Sequence, residues 1–152
     1  MEKMSIARIT FKYLFTQSKG MASLTYPSPE RIIEINALAL ELIRIKKADR
    51  SEVLSRAKIL EVLRECEEKA GEVYDKAVVL LKGLIQKHPF ASGNRRTAFI
   101  VAKEFILTNG HSFGIKDNPQ DALVMQGIRE RYYSDGEIRE WMHHGKIKEF
   151  RR

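Results

Sequence analysis

The stretch AVVLLKGLI, residues 77–85, is followed within four positions by His88 and Pro89. Val78, Val79, Leu81, Leu84 and Ile85 cover most of a helix's girth, so the helix that carries them must be enclosed by other elements rather than lie on a surface. Pro89 ends it, because the residue before a proline is pushed away from helical dihedrals. A chain built around one such helix, read here from about Glu72 to Lys87, has to supply amphipathic partners that cover it.

The rest of the sequence offers those partners. Ser28, Pro29 and Glu30 form a helix start, with a cap, a proline at the first position and an acid near the positive end. Ile32, Ile33, Ile35, Leu38, Ala39, Leu42 and Ile43 then recur at helical spacing. A second helix falls within Ser51 to Lys69 and is broken by Gly71. After the turn FASG, a further helix runs from about Asn94 to Asn109, with Gly110 beyond its end. Asn118-Pro119 opens another toward Arg131, and Ser134-Asp135-Gly136-Glu137 is a capping box for the last, ending near Gly145. Ahead of these, Ile9, Phe11, Tyr13 and Phe15 alternate with more polar neighbours, SKG at 18–20 is a turn, and MASLTY at 21–26 reads as the returning strand of a β-hairpin. The expected architecture is mainly α. A compact bundle of about six helices spans 28–145, an N-terminal extension over 1–27 carries the hairpin, and a basic tail over 146–152 frays.

Composition narrows the function. With 43% hydrophobic and 31% charged residues in 152, the chain can bury a core as one domain. No apolar run approaches the roughly 20 residues that span a bilayer. The N-terminus lacks the apolar core and cleavage site of a secretory leader, and the one cysteine, Cys66, suits a reducing compartment, so a cytoplasmic protein with no membrane partner is expected. Cys66 lies among glutamates, which raise its pKa and make it a poor nucleophile. His111, His143 and His144 lack a metal-ligand pattern, and no GxxxxGK[ST] loop or GxGxxG turn occurs. The net charge of +7 asks for an anionic partner. Nothing resembles a DNA- or RNA-reading motif, so a nucleotide or an acidic protein is expected rather than nucleic acid.

The loop HPFASGNRRTA, residues 88–98, concentrates the chemistry. A helix that starts at Asn94 offers unpaired N–H groups and partial positive charge. Gly93 lets a ligand approach the backbone closely. Arg95 and Arg96 sit in the first turn, where the helix dipole disfavours cations, and so make better sense facing a phosphate. Asn94 can donate to a phosphate oxygen or simply cap the helix. His88 lies across the turn, with an ordinary pKa near ~6.5 that suits a general base. A base beside a phosphate cradle is the layout for moving a phosphoryl-type group to a hydroxyl. The same residues also read as an ordinary helix end followed by a solvated arginine pair, with Phe90 in the core in either case.

This loop resembles the signature of the Fic/Doc family: His, any residue, Phe, any residue, Asp or Glu, Gly or Ala, Asn, any residue, Arg or Lys. The likeness covers roughly 28–145 and is strongest from Tyr74 to Gly110. The apolar helix before the motif and the phrase EFILTNG after it look like the Doc (death-on-curing) branch. The resemblance implies that His88 deprotonates a hydroxyl on a target protein, that Phe90 anchors the loop, and that Gly93, Asn94, Arg95 and Arg96 hold the nucleotide phosphates. Phe99 stands where AMP-transferring Fic proteins carry a second arginine, as an apolar residue does in Doc. It further implies a target-holding flap before the motif, expected by position near Glu65 to Tyr74.

Ser92 departs from the pattern. It stands where the family has the acidic ligand of a nucleotide-bound magnesium ion, and a neutral hydroxyl is a weaker ligand. Three outcomes are open: Ser92 holds the ion with help from waters and phosphates, another carboxylate reaches in, or transferase activity is lost and an anion pocket remains. The expected function is therefore a Doc-like transferase using ATP and magnesium to modify a cytoplasmic protein, by resemblance a translation factor, in a toxin–antitoxin setting. No self-inhibitory motif of the family is present, so restraint would come from an antitoxin or from self-association. The alternative is a catalytically degenerate binding protein of the same fold.

Overall fold

The computed structural model describes residues 23–42 and 50–152. Among them are six α-helices and no strand: α1 (Pro29–Leu42), α2 (Arg56–Glu68), α3 (Val73–Lys87), α4 (Asn94–Thr108), α5 (Asp121–Arg129) and α6 (Asp135–His144). The expected hairpin lies almost entirely outside the described residues. Its last part, 23–26, has no regular structure and is held by Asn109, whose side chain accepts from Thr25 N at 2.7 Å and donates to Thr25 O at 3.0 Å.

The apolar helix is central, as its sequence requires. α3 packs against α2, α4, α5 and α6, while α1 closes the bundle against α2 and α4. More than half of α3 is buried, including Ala77, Leu80, Leu81, Leu84 and Ile85. Gly83 makes the α2 contact close, since a Cβ there would stand 2.8 Å from Val62. Trp141 and Ile138 seat α6 in the same core at 2% and 1% exposure.

The caps follow the sequence. Ser28 accepts from Arg31 N at 3.1 Å, and Ser134 and Glu137 close the capping box of α6. α5 is shorter than expected: Asn118 forms a side-chain turn with Gln120 N at 3.0 Å, and the helix begins only at Asp121. Lys76 is buried and completes α2 from the side. Its Nζ donates to the carbonyls of Cys66 and Glu67 at 3.2 and 2.9 Å, placing a cation at the negative end of that helix. Cys66 is fully buried, and its thiol is pushed up to about 12, chiefly by loss of water and only secondarily by Glu67.

The basic tail does not fray. Phe150 packs edge-on against Tyr132 at 5.1 Å, Tyr133 donates to the Lys148 carbonyl at 2.9 Å, and Arg152 reaches Glu130 at 2.7 Å. Its aromatic residue outweighs its charge.

Candidate active site

α3 hands over to the loop at His88, which adopts the left-handed conformation, φ 55° and ψ 57°. Glycine takes such a position without strain, whereas an L-residue is held there at a cost of roughly 1–2 kcal/mol. The side chain is exposed. A histidine at a glycine-type position, turned toward solvent, points to a functional requirement rather than to packing. The chain reverses again at Gly93, φ 77°, where α4 begins; a Cβ there would stand 3.0 Å from Leu40.

Between the two reversals the loop is fastened from three directions. Phe90 is 1% exposed and plugs it into the core. The Asn94 side chain closes a ring on Phe90, accepting from its N–H at 3.0 Å and donating to its carbonyl at 2.8 Å. That side chain is thus committed to the loop, and what Asn94 presents at the start of α4 is its backbone N–H. The segment Glu52–Ser55 runs antiparallel to the loop, bridging Val53 to Phe90. Leu54 and Ser55 donate to the Pro89 carbonyl at 2.8 and 3.1 Å, and Ala91 donates to the Glu52 carbonyl at 2.9 Å. From α1, Asn36 donates to the Ser92 carbonyl at 2.9 Å and lies 3.0 Å from the Thr97 hydroxyl.

Two features escape a reading of the sequence. Asn36 is fully buried, and its only sequence trace is a polar residue inside the apolar pattern IEINALAL. The segment beside the loop is Glu52–Ser55 rather than Glu65–Tyr74. The latter comprises the end of α2, a connector and the start of α3, so Tyr74 lies a helix length from His88, roughly 20 Å.

The cationic residues divide. Arg95 is exposed and donates to Gln126 Oε1 on α5 at 2.6 Å, and Arg96 is half-buried in the first turn of α4. His88 is held below the ordinary histidine range, first by partial withdrawal from water and then by the positive charges of Arg129, Lys58 and Arg95. Its imidazole is therefore neutral at neutral pH and able to accept a proton. Phe99 packs edge-on against Phe113 at 5.5 Å.

The family model described as Fic/DOC family matches residues 24–106, more than half of the 152-residue chain. The chain belongs to the Fic/DOC family. A comparison with curated proteins gives no match. In this Fic/DOC protein the matched span runs through α1, α2, α3 and the motif loop into α4, and it leaves α5 and α6 outside. Membership supports a nucleotidyl- or phosphoryl-transferase class.

A magnesium ion asks for hard oxygen ligands, commonly one or two carboxylates. The loop offers the hydroxyl of half-buried Ser92 and no carboxylate, in surroundings where Arg129, Lys58 and Arg95 act on His88. Taken within the loop alone, this donor set does not fit the ion. No metal-holding group of three or more His, Cys, Asp or Glu occurs among the described residues, and His143 instead stacks on Tyr74 and His144 at 4.1 and 3.9 Å. No helix among the described residues is long and apolar enough to cross a membrane.

Proposed function

We propose that this protein is a Doc-like transferase that moves the terminal phosphoryl group of ATP to a serine, threonine or tyrosine hydroxyl of a cytoplasmic target protein. The observation that carries the reading is His88, kept in a left-handed conformation, turned to solvent and neutral at the rim of a cationic loop. In the reaction His88 takes the hydroxyl proton and a bond forms between the target oxygen and the γ-phosphorus. The bond from that phosphorus to the β–γ bridging oxygen breaks, and ADP leaves with the electron pair. Gly93, the backbone N–H of Asn94, Arg95 and Arg96 orient and neutralise the phosphates, which is most of what phosphoryl transfer asks of a protein.

AMP transfer, with attack at the α-phosphorus and departure of pyrophosphate, is the other chemistry of the class. Phe99 disfavours it, because its ring is spent on Phe113 where a second phosphate-binding arginine would stand. By the same family likeness, the target is a translation factor and restraint comes from an antitoxin.

The test is label transfer to the proteins of a cell extract from ATP labelled at the γ- or the α-phosphate. Label from the γ-position with wild type and none with His88→Ala is expected. Transfer by His88→Ala at the wild-type rate would sink the proposal. Ser92 favours one other reading, a binding protein of the same fold that has lost the reaction. It would bind ATP yet transfer neither label with any divalent ion.

A further inference from the structure

Three helices bring cations to the rim of the motif loop. Lys58 stands in the first turn of α2, where Ser55 caps the helix by accepting from Lys58 N at 3.2 Å. The same Ser55 donates through its own N–H to Pro89, the residue after His88. Arg95 is the second residue of α4 and is tied to α5 through Gln126. Arg129 ends α5, and that end is fixed beside the loop by Gln86, two residues before His88, whose side chain donates to the Ile128 carbonyl at 3.0 Å. Lys58, Arg95 and Arg129 are all solvent-exposed.

Two acids on or beside these helices are engaged elsewhere. Glu61 accepts from Lys87 at 2.8 Å, and Glu130 accepts from Arg152 and Gln126 at 2.7 and 2.6 Å. A divalent ion at the loop would find one hydroxyl and no carboxylate among residues 88–96. A polyphosphate would meet a helix N-terminus and cations on three sides, two of them guanidinium groups able to grip phosphate oxygens in pairs.

We infer that this protein holds the polyphosphate of its nucleotide with Lys58, Arg95 and Arg129, together with the α4 N-terminus, in the role that a divalent ion fills where the loop carries an acid. The inference rests on the nucleotide-transferring function proposed above. Arg129 lies beyond the matched residues 24–106, so this arrangement draws on a helix outside the family model.

Calorimetric titration of ATP into the full chain tests it, with EDTA and then with magnesium. Wild type is expected to bind ATP in EDTA, and magnesium is expected to leave the affinity within about threefold or to weaken it. The double variant Lys58→Ala/Arg129→Ala, whose fold is checked by circular dichroism, is expected to lose about tenfold or more in EDTA. Retention of wild-type affinity by that variant overturns the inference alone. So does tightening of wild-type binding by magnesium of about tenfold or more. If Glu52→Gln abolished that tightening, the ion would have a carboxylate from the segment that pairs with Ala91, and the transferase reading would stand. Failure of wild type to bind ATP in either condition overturns both.

Discussion

Replacing His88 with glycine is expected to abolish group transfer while leaving the protein as stable as wild type or more so. The two effects separate because the residue's backbone and side chain serve different ends. The backbone is left-handed at φ 55°, a conformation glycine adopts freely and histidine only at a cost of roughly 1–2 kcal/mol. Glycine returns part of that gain through the greater freedom of its unfolded chain, roughly 0.4–1 kcal/mol. The net expectation in chemical denaturation is a change between zero and a gain of about 1.5 kcal/mol. The side chain is solvent-exposed, so little packing is lost. Removing a general base should cost about 10²–10⁴ in rate. The stability comparison also has a pH signature. His88 is held below its unfolded value, so its contribution is intact above about 6.5 and is lost as the pH falls through the folded value. The advantage of the glycine variant should therefore widen on acidification. A marked loss of stability at neutral pH would mean that the histidine ring is structural.

Phe90→Ala should have the opposite profile, with a large loss of stability and a loss of activity that follows from it. Phe90 is 1% exposed and carries the bridge to Val53 and both side-chain bonds of Asn94 on its backbone. Truncating a buried phenylalanine costs about 3–5 kcal/mol, which for a chain of this length lowers the melting temperature by about 10 °C. With the plug gone, the loop's hold on His88 and on the start of α4 slackens, so transfer should fall even at temperatures where the variant stays folded. A cost below about 1 kcal/mol would show that the loop is set by its hydrogen bonds and that Phe90 merely fills space.

Much of the fold was legible because its signals are local. The apolar girth of residues 77–85, the stop at Pro89, the Ser28 cap and the Ser134–Glu137 box each act within a few residues of where they stand in the chain. The motif loop was legible for the same reason, since its histidine, phenylalanine, glycine and arginines fall within nine positions. What escaped depends on residues far apart in sequence. Asn36 reaches Ser92 across 56 positions, and Val53 pairs with Phe90 across two whole helices, α2 and α3. No periodicity announces either contact. The segment that pairs with the motif loop is likewise not given by position along the chain, because the neighbour of Pro89 is set by how α2 folds back along α3. The tail's charge is plain in the sequence, whereas the packing of Phe150 on Tyr132 depends on a residue from another part of the chain.

The central claim is that a neutral His88 stands beside a site for nucleotide phosphate. NMR titration of the His88 imidazole, without metal and with or without ATP, tests it most directly. In the free protein the midpoint should lie below that of an ordinary histidine, because partial loss of water and the charges of Arg129, Lys58 and Arg95 disfavour the imidazolium. Bound polyphosphate offsets those cations, so ATP should move the midpoint upward. A midpoint at or above the ordinary value in the free protein, or one that saturating ATP leaves unmoved, would contradict the account.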